Sequence, residues 1–177
     1  MNDFKVQPGG IVMEPRYRCK VKIRTMNLEH LGAVALVDDL GYENSGSYDY
    51  YKKELRKSFR GYVAIDKDRI IVGFVMYSII KGPYKNLLIQ RMAVVPHKRR
   101  QGVGTQLLNV LKRQLRHNDS IKNMSMAVST KNGVGAFFLE SFQFERRVSI
   151  KGSDYVELNI WIGGSKSVFD VWVWSLT

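Results

Sequence analysis

The sequence contains one cysteine, Cys19. An internal disulfide and a cysteine-based metal cluster are therefore excluded. No apolar run approaches the roughly 20 residues that a membrane helix requires. The first ten residues, MNDFKVQPGG, lack the apolar stretch of a secretory signal. These absences predict a soluble, cytoplasmic protein. His30, His97 and His117 are scattered, without the carboxylate or cysteine spacing of a metal site, so they read as surface residues and no metal is expected. Acids are also scarce: 16 Asp and Glu stand against 28 Lys and Arg, a net charge of +12. The deficit is local. Between Lys81 and Lys122, ten Lys and Arg face a single acid, Asp119. Such a field favours anionic partners: a phosphate-bearing cofactor, a nucleic acid or an acidic protein.

The 177 residues, 45% apolar and 25% charged, fit one globular domain. Residues 1–17 read as an irregular arm broken by Pro8, Gly9, Gly10 and Pro15, and residues 18–177 as the domain. Lys20–Arg24 alternates like a short strand. Asn27 is placed to cap a helix through Val37, and Tyr48–Phe59 reads as a second helix ended by Gly61. Three strands follow: Gly61–Ile65, Ile70–Ile80 and Leu87–Val95, the first two joined at Asp66–Arg69. Gly102–Arg116 is an amphipathic helix, with Val103, Leu107, Leu108, Leu111 and Leu115 on one face. Met124–Ser129 is a strand and Asn132–Phe142 a helix. Glu145–Ile150 and Tyr155–Ile162 flank Lys151–Asp154 like a hairpin with a short turn. Val168–Trp174 alternates aromatics, as a further strand would. Strand–helix alternation in the second half implies parallel pairing there, with antiparallel hairpins elsewhere, so the class is mixed α/β.

The segment Arg99-Arg100-Gln101-Gly102-Val103-Gly104-Thr105 follows a strand and opens a helix. Two glycines one residue apart let the backbone approach a ligand without a Cβ in the way. The first turn of a helix presents unpaired N–H groups and partial positive charge, an anion site suited to a pyrophosphate. Lys98, Arg99 and Arg100 add full charges. The string is neither a P-loop nor a dinucleotide fingerprint: no Gly-Lys-Ser/Thr occurs, and the third glycine is missing.

Met92 to Leu108, MAVVPHKRRQGVGTQLL, resembles the core motif of the GCN5-related N-acetyltransferases (GNAT). There, an apolar strand ending in Val-x-Pro runs into Arg/Gln-x-x-Gly-x-Gly/Ala and a Leu-Leu helix. Arg99, Gly102 and Gly104 match the signature positions. The resemblance spans roughly residues 20 to 162 and is nearest the ribosomal-protein alanine and protein N-terminal acetyltransferase branch. It implies a mixed, mostly antiparallel sheet of six to seven strands with four helices, splayed at its central strands. It implies acetyl-CoA as cosubstrate and transfer of acetyl to a primary amine. The backbone of Met92, Ala93 and Val94 would pair with the pantetheine arm. Arg99, Arg100, Gln101, Gly102, Val103, Gly104 and Thr105 would hold the pyrophosphate. Asn132 would bond the pantetheine, and Phe138 matches an apolar position of the next helix.

The proton-handling positions differ from the family pattern. Leu139 stands where a tyrosine acid is common, and Ala127 where the N-terminal branch often keeps its base. Gln90 occupies a second common carboxylate position. Three readings follow: the chemistry proceeds by positioning, other residues serve, or the chain binds acyl-CoA without turnover. Tyr155 and Gln90 are the candidate catalytic residues, with Tyr84 before the core strand, and Glu43 and Asp38 near the expected acceptor cleft, as further candidates. Peptide acetyltransferases of the family carry paired tyrosines and a longer connection at the last hairpin, so a short Lys151–Asp154 turn argues against a peptide acceptor. Tyr48, Tyr50, Tyr51 and Phe59 line an acceptor pocket or pack the core. Trp161, Trp172 and Trp174 form a homodimer surface or pack onto their own sheet. The acceptor ranges over a small molecule, a peptide or a ribosomal protein, with charged tRNA as a further possibility. The rival class is a basic nucleic-acid-binding or ribosome-associated module.

Overall fold

The computed structural model describes residues 19–41, 45–57, 59–80, 85–118, 120–151 and 168–175. Among these residues, seven strands form one sheet: β1 (Lys22–Thr25), β2 (Arg60–Ile65), β3 (Ile71–Ile80), β4 (Lys85–Val94), β5 (Ile121–Ser129), β6 (Glu145–Lys151) and β7 (Val168–Ser175). Their spatial order is β1-β2-β3-β4-β5-β7-β6. β4 and β5 are parallel and every other neighbouring pair is antiparallel. The helices are α1 (Leu31–Asp39), α2 (Tyr48–Lys57), α3 (Val103–Arg116) and α4 (Gly133–Ser141). The mixed, mostly antiparallel class and the four helices agree with the expectation.

Side chains alternate across a strand, so neighbours on β4 face opposite layers. Ala93 faces the end of α1, where a Cβ on Gly41 would lie 3.3 Å from its own. On the same side Tyr51 of α2 meets Phe74 of β3 edge-on at 5.9 Å. Met92 faces the other layer, beside Gly104 of α3. The α3 stripe Val103, Leu107, Leu108, Leu111 and Leu115 is wholly buried there. Burying each leucine contributes about 1.5–3 kcal/mol. α3 is also tied to α4 and β7: Lys112 donates to the Phe142 carbonyl at 2.8 Å and sits 4.6 Å over the Trp174 ring.

Three local findings refine the sequence reading. Asn27 opens a single 3-10 turn, Leu28–His30, and its N–H donates to His30 Nδ1 at 3.1 Å. His30 thus caps a turn. The β2–β3 hairpin is held by Asp66, whose Oδ1 accepts from the Asp68 and Ile70 N–H groups at 3.0 Å. Arg69 takes a left-handed φ of 62° there.

The third finding lies at the C-terminal end. β6 pairs with β7, Ser149 opposite Asp170 and Lys151 opposite Val168. Tyr155–Ile162 lies outside the described residues, within the connection 152–167. β7 alternates buried Asp170, Trp172 and Trp174 with half-buried residues. A strand so buried belongs inside a sheet, and β5 and β6 flank it. Trp172 and Trp174 are 7% and 8% exposed, so they pack within the fold and form no exposed dimer patch. Trp161 lies outside the described residues.

Candidate functional site

The parallel ladder between β4 and β5 runs from Lys85 opposite Ile121 to Ile89 opposite Met126, and ends there. β4 stays paired with β3 as far as Val94, and β5 with β7 as far as Ser129. The strands therefore part after Ile89 and Met126. Each is held by its outer neighbour, and a gap opens between Gln90–Val94 and Ala127–Ser129. A bulge marks the parting: Met76 opposes Arg91 while Tyr77 opposes Ile89, so Gln90 has no backbone register partner on β3. The splay implied by the resemblance is present, and Met92, Ala93 and Val94 form one edge of the gap.

The gap leads to the glycine turn. After a 3-10 turn at Pro96–Lys98, Arg99 is extended, Arg100 has φ 60°, and Gly102 is left-handed at φ 79°. Left-handed residues running into a right-handed helix turn successive N–H groups to one side, a concave nest for an anion. At the start of α3 the Gln106 N–H donates to the Gly102 carbonyl. The N–H groups of Val103, Gly104 and Thr105 precede it, and no side chain caps this end. Gly104 has a steric reason. A Cβ there would lie 3.2 Å from Phe138 Cζ and 3.3 Å from Met92 Cε. Met92, Gly104 and Phe138, distant in sequence, thus meet where the gap reaches the helix.

The cations around the turn divide by task. Arg99 and Arg100 are exposed, and Arg99 Nε donates to the Val94 carbonyl at 3.0 Å, folding over the end of β4. Lys98 is turned to Asp66 at 3.5 Å. Gln101 is spent on the turn, its Nε2 donating to the His97 carbonyl at 2.8 Å. The chain entering β1 braces the same turn, with the Cys19 N–H on the Gln101 carbonyl at 2.9 Å and Gln106 Nε2 on the Cys19 carbonyl at 2.8 Å. Asn132 is exposed at the N-cap of α4. Its Oδ1 accepts from the Gly135 N–H at 2.9 Å, leaving its amide hydrogens for a ligand.

The opposite layer carries a buried ionic cluster. Asp38 is 0% exposed. Its Oδ2 accepts from the Tyr51 hydroxyl at 2.6 Å and the Gly46 N–H at 2.7 Å, and its Oδ1 lies 2.6 Å from Arg91 Nε. Asp38 therefore anchors the core rather than standing as an open carboxylate at an acceptor cleft. Burial, with the bond to Asp38, pushes the Tyr51 phenol above its ordinary range. Burial and the Glu54 charge push Tyr50 up to about 12. Both phenols stay protonated at neutral pH. Tyr48 is exposed, and Phe59 packs on the core. Gln90 Nε2 donates to Ser78 Oγ at 3.2 Å. Leu139 is 1% exposed, a core residue of α4. Tyr155, Tyr84 and Glu43 lie outside the described residues.

Two features escaped the sequence reading. Arg91 adjoins Met92 but faces the other layer, and its partner is 53 positions away. Val134 and Phe137 of α4 are 73% and 64% exposed just beyond Asn132, an apolar pair beside the gap. Helical phase against a buried Leu139 is the signal that turns them outward.

Comparison with known proteins bears on this arrangement. A model of the acetyltransferase (GNAT) family matches residues 29–144. No curated protein matches in sequence. Among solved structures, the ribosomal-protein-S18-alanine N-acetyltransferase of Escherichia coli is 13% identical, covers 89% of this chain and 95% of its own, and has a TM-score of 0.72. Arabidopsis thaliana NAA60 in complex with acetyl-CoA is 14% identical, with coverage of 89% and 99% and a TM-score of 0.74. Arabidopsis thaliana Naa50 in complex with the bisubstrate analogue CoA-Ac-MVNAL is 19% identical, with coverage of 88% and 99% and a TM-score of 0.72. At these identities the likeness is one of fold.

Proposed function

The chain belongs to the acetyltransferase (GNAT) family, and from that premise we propose that it transfers acetyl from acetyl-CoA to a primary amine of a peptide or protein. The observation that carries the reading is the β4–β5 gap ending at the uncapped N-terminus of α3. Pantetheine is a slender amide chain, and strand edges offer it N–H and C=O partners. In this reading Met92, Ala93 and Val94 hold it from one side, and Asn132 and Phe138 from the other. The pyrophosphate sits on the N–H groups from Arg100 to Thr105, with Arg99 and Arg100 adding charge. The acceptor enters from the layer of α1 and α2, opposite the phosphates.

The amine lone pair attacks the thioester carbonyl carbon. Negative charge builds on its oxygen, and a backbone N–H of the Met92–Val94 edge steadies it. The C–S bond breaks, coenzyme A thiolate leaves, and the new ammonium loses its proton to water. Ala127 and Leu139 hold no titratable group, and Gln90 is an amide. The chain thus contributes chiefly orientation, with the proton relayed by solvent. Support for a peptide acceptor comes from the relatives: Naa50 is bound to an acetylated peptide joined to CoA.

The test is calorimetry with acetyl-CoA, followed by thiol release and peptide mass with free or blocked N-terminal peptides. Binding and acetylation of the free α-amine are expected. Gly104→Val, which crowds Phe138 and Met92, should abolish binding. Absence of binding by the unaltered chain sinks the reading. Binding without thiol release with any amine favours an acyl-CoA-binding protein.

A further inference from the structure

The acetyl-CoA site uses only part of the positive charge. α3 rises about 1.5 Å per residue, so Arg113 and Arg116 lie roughly 15–20 Å from the glycine turn. Two open grooves flank this far end. One, of about 450 Å³, is lined by Arg60, Arg113 and His117 among others. The second, of about 620 Å³, lies between β1 and α3 and is lined by Lys112, Arg113 and Arg116 beside Val21 and Ile23. Arg113 stands on the ridge between them. Lys85 reaches the same end, its Nζ donating to Ser120 Oγ at 3.2 Å.

Arg60, Lys85, Arg113 and Arg116 are all exposed, and among the described residues none has a carboxylate partner. No described carboxylate lines either groove. Burial first, then repulsion from Arg116, lowers the Lys112 pKa, as expected where cations crowd one another. The helix dipole favours cations in the last turn of α3. It has no bearing on Arg60 and Lys85, which come from other elements.

We propose that this end of α3 is a docking surface for the phosphodiester backbone of a nucleic acid, separate from the acetyl-CoA site. A protein interface needs a buried apolar centre with aromatic anchors. Among the described residues, no Phe, Tyr or Trp lines these grooves. Backbone recognition needs only spaced cations beside an open groove. RNA and DNA share that chemistry, so both are probes.

The test is fluorescence anisotropy of the full chain with a short labelled RNA strand, the matching DNA strand and polyglutamate, between 50 and 200 mM KCl. Either strand should bind, more weakly as salt rises. The triple variant Arg60→Gln, Arg113→Gln, Arg116→Gln should weaken binding at least tenfold and flatten the salt slope by about 2, at roughly 0.7 per phosphate contact. Lysine at the same three positions should retain binding. Acetyl-CoA calorimetry should be unchanged in both. No binding overturns the proposal, as does equal binding of polyglutamate. Displacement of the strand by saturating coenzyme A also overturns it, because the strand then occupies the cofactor turn.

Discussion

Asp38 shows how one buried charge joins three parts of the chain. Its oxygens receive the Gly46 N–H, the Tyr51 hydroxyl and Arg91 Nε, linking the α1–α2 loop, α2 and the strand that edges the gap. Removing one partner of a buried ion pair leaves the other unpaired, at about 3–5 kcal/mol. Asp38→Ala should lower the free energy of unfolding by that amount, read as a lower urea midpoint at constant m, a large share of the stability of an ordinary domain. Tyr51→Phe removes one bond to the carboxylate and should cost about 1.5–3 kcal/mol. An unchanged midpoint in both would show that the cluster contributes nothing. Asp38 was visible in the sequence as a carboxylate near the acceptor side. Its actual task was not, because the identity of a partner at position 91 is a tertiary fact.

Among the elements, the β2–β3 hairpin carries a pH dependence. Burial raises the Asp66 pKa, but the Ile70 and Asp68 N–H groups and Lys98 outweigh it and hold the carboxyl below its ordinary 3.8. A depressed folded value contributes stability above the unfolded pKa, lost as pH falls through the folded one. Thermal melts of the unaltered chain and Asp66→Asn should therefore differ most near neutrality. The difference should shrink as pH drops below about 3.8. A constant difference across that range would remove Asp66 as its source. The elements themselves were largely legible. α3 repeats leucines on one face, and β2 and β3 are apolar runs around a polar turn, so local period and turn chemistry point the same way. The pairing of β6 with β7 was not legible. Tyr155–Ile162 and Val168–Trp174 alternate alike, and a period of two says nothing about which strand lies beside which.

At the scale of the whole molecule, the gap adjoins β4, β5, α3 and α4, and a ligand in it ties these four elements together. Acetyl-CoA at a hundredfold excess over its Kd should add about 2.7 kcal/mol. For a chain of 177 residues that is a rise in Tm of about 5–11 °C. A melt unmoved by acetyl-CoA would exclude this linkage. Among the described residues, no helix is long and apolar enough to cross a membrane, and no cluster of His, Cys, Asp and Glu is placed to hold a metal. By itself the sequence determined the strand–helix order, the α3 core stripe and the glycine turn at Arg99–Thr105. Each depends on residues within a few positions of one another. Only the tertiary structure decided that β4 and β5 part after Ile89, that Met92 and Phe138 close on Gly104, that Arg91 serves Asp38, and that β7 lies inside the sheet. Those outcomes depend on contacts between residues far apart in the chain, which packing selects and local pattern does not encode.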